Sequence, residues 1–183
     1  MHVSIVTLLG AAALVTCQGT NGTVVTGKLG DARPVTNNPV VGEVWVANFA
    51  GTVKGLVTAK AAAIGVNYTI DVTGLPAGKG PFKYHVHLDP VPSDGNCTGT
   101  GGHLDPYQRE DLPACNGSTP AKCEVGDLSG KYGTLAGPSA NKTFNDPYSA
   151  LNRIDLGWIG NRAIVFHDAS SARIACANLT KAA

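Results

Sequence analysis

The residues of this chain best able to do chemistry are four histidines. His85 and His87 stand one residue apart in the run KYHVHLDP. On a β-strand that spacing turns both imidazoles to one face, because side chains alternate with a period of two. His103 follows sixteen residues after His87, past a Pro/Gly/Asp-rich stretch and Cys97, and His167 closes the apolar run RAIVFH. The fifth histidine, His2, lies at the extreme N-terminus. Imidazole is the commonest transition-metal ligand among side chains, and four of them without a thiolate suit copper best and zinc next. The competing reading is a surface His-x-His pair with two unrelated core histidines.

A scaffold has to bring these side chains together. The chain has 183 residues, enough for one domain with a real core. Its net charge is +1 and only 15% of residues are charged, so it lacks the basic stripe of a nucleic-acid binder. Glycine is abundant (23), proline is moderately so (11), and long apolar patterns of helical period are missing. Short strands joined by turns are therefore expected. Val41–Phe49 reads as a strand, and Gly51–Ala63 as one or two more, with a helical turn at Ala59–Ala63 as the alternative. Val66–Val72 alternates clearly, and Gly74–Gly80 supplies a turn before the HVH strand. Residues 88–123 form a long irregular excursion holding His103 and three cysteines, and so long a loop is expected to be functional. After it come a segment near Thr134, a strand over Ile154–Trp158 and a strand over Arg162–His167. The pattern predicts an all-β sandwich or barrel with one large metal-bearing loop.

Residues 1–17 read as a secretory signal: the apolar run Val3–Val15 is too short to span a bilayer, and cleavage is expected after Cys17. A lipid-modified Cys17 is the alternative. Residues 18–38, rich in Gly, Thr and Asn, read as a flexible lead-in, which leaves 39–180 as the folded domain. Without Cys17, four cysteines remain, Cys97, Cys115, Cys123 and Cys176, which implies two disulfides in one of three pairings. Sequons begin at Asn21, Asn67, Asn96, Asn116, Asn141 and Asn178, as in a eukaryotic secreted glycoprotein. A secreted, extracellular or cell-wall location is expected, with no membrane span. The C-terminal stretch Asn178–Ala183 has no hydrophobic tail, so no C-terminal lipid anchor is expected of the sequence as it stands.

Six landmarks in order then resemble one family, the copper/zinc superoxide dismutases, over roughly 39–179. They are GLPAG leading into Tyr84 and HVH, Cys97, GGH at 101–103, VGDLSG at 125–130, AIVFH at 163–167, and Arg173-Ile-Ala-Cys176. The resemblance implies an eight-stranded Greek-key β-barrel of immunoglobulin-like sandwich type. It implies copper ligands at His85, His87, His103 and His167, a Cys97–Cys176 disulfide, and Arg173 and His103 as the residues acting on the substrate, superoxide anion. The implied reaction turns two superoxide anions into oxygen and hydrogen peroxide. Arg173 would draw the anion in and hold it by charge-assisted hydrogen bonds.

Several departures refine this. The loop where zinc-bearing relatives carry two further histidines contains none here; Asp111 stands where the first would fall, Glu124 precedes VGDL, and only Asp127 keeps a zinc-ligand identity. Zinc is therefore expected to be absent, with His103, Asp111, Glu124 and Asp127 as the set that would hold it otherwise. The family's charged electrostatic loop shrinks to the five residues Asp168–Ala172 between His167 and Arg173, so the site should be open. Cys115 and Cys123 are additional and expected to pair with each other. Together these features look like the secreted copper-only dismutases of fungi, with one copper per chain. Without a second metal, the far nitrogen of His103 needs another partner, and Glu124 or Asp127 is expected to supply it, Glu124 first. The runner-up is an extracellular copper-binding or copper-delivery protein. Arg173 argues against it, as does the lack of any methionine beyond the initiator. A monomer or weak homodimer is expected.

Overall fold

The computed structural model describes residues 27–183. The expected leader and residues 18–26 of the lead-in lie outside them. Seven strands form in chain order: β1 (Val44–Ala50), β2 (Lys54–Ala61), β3 (Val66–Thr73), β4 (Lys83–Val86), β5 (Ser139–Asp146), β6 (Ala163–His167) and β7 (Arg173–Lys181). One short helix, α1 (Leu128–Tyr132), precedes β5. The strands pair antiparallel in the order β4-β6-β7-β1-β2-β3-β5. The chain thus crosses from β3, next to one edge, to β4 at the opposite edge, and β5 returns beside β3, which is the Greek-key crossing. β7 belongs to both halves: Arg173–Asn178 pairs with β6, and Leu179–Lys181 pairs with β1.

Alternation builds the core. Trp45, Ala47 and Phe49 of β1, Val57, Ala59 and Ala61 of β2, and Val66, Tyr68, Ile70 and Val72 of β3 all point inward. Ala59 and Ala61 belong to a strand and not to a helical turn. Ala59 pairs with both Trp45 and Tyr68, and its small side chain leaves room for the two large neighbours. Tyr84 and Val86 of β4 join this core, and Phe166 of β6 meets Phe49 edge-to-face at 5.0 Å.

An eighth strand was expected, and the described residues have seven. Beside the free edge of β4, residues 126–135 make only isolated links: Val86 N–H donates to Gly126 O, and Phe82 and Leu135 exchange backbone bonds. Between those links Asp127 accepts from Gly130 N at 2.7 Å and caps α1, which turns the backbone away from strand geometry. The expected strand over Ile154–Trp158 is a turn. Asn152 and Asp155 side chains accept from Ile154 N and Gly157 N, and Ile154 is 87% exposed. β5 was not anticipated, because an edge strand with one wet face carries little apolar signal.

The segment 27–38, expected as a flexible lead-in, is instead strapped to the body. Leu29 N donates to Tyr107 O, Ala32 N to Ala121 O and Val35 N to Pro147 O, while Ala32 and Val35 are buried. Two of these bonds hold the long 88–123 loop. Disulfides Cys97–Cys176 and Cys115–Cys123 brace it further. No helix among the described residues is long and apolar enough to cross a membrane.

Candidate metal centre

β4 turns His85 toward the loop, and His87, the residue after the strand's last, continues the same face; both are almost fully buried. His103 joins through a single bridge to His87. His167 ends β6, where it pairs with Lys83. An irregularity between Phe166 and His167 sets His167 directly opposite Arg173 on β7. The four imidazoles therefore come from β4 and the residue just past its end, from β6 and from one loop, and their candidate ligand atoms lie within 4.8 Å of one another.

Each ring has one nitrogen tied outward. His87 Nδ1 donates to Gly101 O at 2.9 Å, with Thr100 Oγ1 3.0 Å away, and His167 Nδ1 donates to Ser171 O at 3.1 Å. His103 Nδ1 lies 2.5 Å from Glu124 Oε2. His85 Nε2 lies 2.9 Å from Ser129 Oγ and 3.4 Å from Asp127 Oδ1. Such contacts fix tautomers, leaving lone pairs on His85 Nδ1 and on Nε2 of the other three. His85 Nδ1 is buried without any partner, and His87 Nε2 faces His167 Nε2 at 3.2 Å. Two acceptor nitrogens at that separation repel unless a cation or a proton sits between them. With metal–nitrogen bonds of about 2 Å, 3.2 Å is the spacing of neighbouring ligands on one ion. These nitrogens fit a four-imidazole transition metal.

The electrostatics agree. Burial pushes His85 down to about 4 and His87 down to about 3, and lowers His167 as well. All three are neutral, ligand-ready imidazoles at pH 7. For His103, burial opposes the charge, but the Glu124 hydrogen bond and the Glu124, Asp127 and Asp111 carboxylates outweigh it and raise the pKa. Burial also raises Glu124, so the pair holds its proton from both sides. Burial acts against the Asp127 charge too, yet the contact with His85 and the cap on Gly130 N bring it down to about 2.

Of the carboxylates expected here, Glu124 meets His103 and Asp127 meets His85. Asp111 Oδ1 is 3.6 Å from His103 Nδ1, with its side chain 78% exposed. His103, Asp111 and Glu124 cluster, whereas Asp127 is turned to His85 and the cap, so the four-group set does not converge. Arg173 donates from Nη1 to Cys97 O at 2.6 Å and Thr100 Oγ1 at 3.1 Å, and from Nη2 to Gly101 O at 2.6 Å. It lines a cavity of about 470 Å³ with His85, His103 and His167.

Three contributors went unread in the sequence. Lys83, two residues before His85 and so on its face, lines the same cavity; period-two counting could have found it. Ser129 and Thr100, the hydroxyls beside His85 and His87, carry no sequence signal of their own.

A Greek-key sandwich with four imidazoles converging from its edge defines a class, and the comparisons agree. The profile of the family described as copper/zinc superoxide dismutase matches residues 51–179, and the chain belongs to that family. It is 38% identical to a cell surface Cu-only superoxide dismutase of Arthroderma benhamiae, over 82% of this chain and 49% of that one. It is 40% identical to cell surface Cu-only superoxide dismutase 5 of Candida albicans, over 73% of this chain and 56% of that one. The chain thus spans about half the length of these curated relatives. The solved Cu(II) structure of Candida albicans superoxide dismutase 5 superposes with a TM-score of 0.71 at 37% identity, covering 78% of this chain and 94% of that one.

Proposed function

We propose that the chain dismutates superoxide at the cell surface with one copper ion and no zinc, held by His85, His87, His103 and His167. The carrying observation is the sorting of nitrogens: four lone pairs converge, while the outward nitrogen of His103 is given to Glu124 Oε2 and so needs no second metal. Copper, when bound, supplies one-electron redox cycling between two oxidation states. The protein's residues do the rest. Glu124 keeps the proton of His103 on Nδ1, so that any proton this ring gains or gives up is exchanged at Nε2, on the cavity side. Arg173, held by four loop oxygens of Cys97, Thr98, Thr100 and Gly101, presents a fixed positive charge to an entering anion. The Cys97–Cys176 bridge ties that loop to β7, the strand Arg173 begins, which fixes His103 and Arg173 relative to each other.

The test is elemental analysis alongside dismutase activity of copper-loaded, zinc-free protein. About one copper per chain, negligible zinc and fast turnover indifferent to added zinc are expected. One copper with sluggish turnover would favour copper carriage. Stoichiometric zinc would mean that Asp111 and Glu124 serve a second metal.

A further inference from the structure

Lys131 of α1 and Asp146 of β5 form an ion pair with no solvent exposure on either side chain. The ammonium meets both carboxylate oxygens at 3.0 Å and donates to the Val125 carbonyl at 2.9 Å. Asp146 also accepts from Tyr132 Oη at 2.8 Å and Ser149 Oγ at 2.5 Å. The pair is fully satisfied, and neither residue lines the cavity.

A pair buried this deeply is weak evidence for stability. Stripping water from two charges offsets most of their attraction, and apolar residues of similar volume often serve as well. The third acceptor points to another role. Val125 lies between Glu124, which meets His103, and Asp127, which with Ser129 meets His85. The Cys115–Cys123 bridge holds this segment at Cys123. The ammonium holds it from the other side and fastens it to the end of β5.

We infer that Lys131 and Asp146 are positioning residues: they index the 124–129 segment to the sheet, and so aim Glu124 at His103 and Ser129 and Asp127 at His85. The inference rests on the reading of His85 and His103 as metal ligands.

Lys131→Met alone would strand a buried carboxylate, so the test is the double variant Lys131→Met/Asp146→Asn, which removes both charges and keeps an oxygen to accept from Tyr132 and Ser149. Lys181→Met, which breaks the exposed Lys181–Glu43 pair, is the control. Two readouts do not need metal: thermal unfolding, and the imidazole N–H resonances of His85 and His103 in the metal-free protein. Two need it: the Cu(II) EPR splitting and the copper dissociation constant. The double variant is expected to unfold near the parent's temperature, with both resonances moved upfield, an altered EPR splitting and copper held about tenfold more weakly. The control should change none of these. Unmoved resonances, EPR and affinity in a folded double variant would overturn the inference. So would a double variant that does not fold, since the pair would then be a stability element. A parent protein that takes up no copper would sink the metal reading instead, and the metal-free resonances would still decide the role of Lys131.

Discussion

Glu124 and Asp127 stand three residues apart and each meets a histidine of the same centre, yet on opposite terms. Asp127 is fixed from several sides: it caps α1 through Gly130 N, lies 3.5 Å from Ser129 Oγ, and meets a His85 whose side chain is only 6% exposed. Its carboxylate is held low and its histidine is held low. Glu124 meets His103 on the long loop, where the imidazole is 19% exposed and Asp111 stands by. There both partners are raised. The difference separates a rigid sheet-side half, which keeps a neutral imidazole in place, from a loop-side half, where imidazole and carboxyl share a proton.

The largest way to break that contrast is to free the loop. Cys97–Cys176 spans 79 residues, and replacing both cysteines with serine is expected to cost about 2–4 kcal/mol of stability. The loss should be read as a lowered thermal midpoint. Copper should remain coordinated by His85, His87 and His167 while His103 loosens, which the EPR splitting reports. An unchanged midpoint would mean that the N-terminal strap and Arg173 already fix the loop.

Next come the carboxylates themselves. Glu124→Gln is expected to weaken copper retention about 10–100-fold and to make turnover more sensitive to pH, because the charge that holds the His103 proton is gone. Asp127→Asn keeps a capping oxygen, so it should lose less copper and lower the thermal midpoint slightly. Competition against a copper chelator ranks the two. If Asp127→Asn loses more copper than Glu124→Gln, the sheet-side half is the sensitive one.

Acid should act on the sheet-side half first. In metal-free protein His85, His87 and His167 all have folded pKa values below the ordinary 6.5, the first two at about 4 and about 3. Their contribution to stability is present above 6.5 and is lost as pH falls through the folded values. His103 runs the other way: its contribution is present below 6.5 and is lost as pH rises through its raised value. Between pH 6.5 and about 4 the three lowered groups dominate, so the thermal midpoint of metal-free protein should fall across that window. A flat or rising midpoint would remove the assignment of neutral, buried imidazoles.

The two halves also differed in how plainly the sequence announced them. His85 and His87 are legible because a strand's period is two and both neighbours, Tyr84 and Val86, are core residues. Ile154–Trp158 is the opposite case: apolar residues there sit on Asx turns, and local side-chain bonds outweigh the apolar signal. The 27–38 strap is not legible in the sequence because its contacts are backbone bonds to Tyr107, Ala121 and Pro147, which composition does not encode. Glu124 was an expectation on chemical grounds, since a metal-bound imidazole needs an outward partner. The Lys131–Asp146 pair had no such prompt, because its residues stand 15 apart and meet only once α1 packs on β5.

The smallest expected effect falls on the rim. Lys83 faces the cavity beside His167, its strand partner, and its Nζ lies 3.0 Å from Ser171 Oγ. Ser171 O is in turn the acceptor for His167 Nδ1. No carboxylate forms an ion pair with Lys83 among the described residues, so its ammonium is left to face the cavity. With only a short loop left between His167 and Arg173, this ammonium is placed to add to the pull of Arg173 on an anion. Lys83→Gln should lower kcat/KM about two- to threefold at low ionic strength, and Lys83→Glu more. Both losses should shrink toward nothing near 1 M salt, where screening acts within about 3 Å. A loss equal at every ionic strength would assign Lys83 to holding Ser171, and through it the ring of His167, instead of to drawing the anion in.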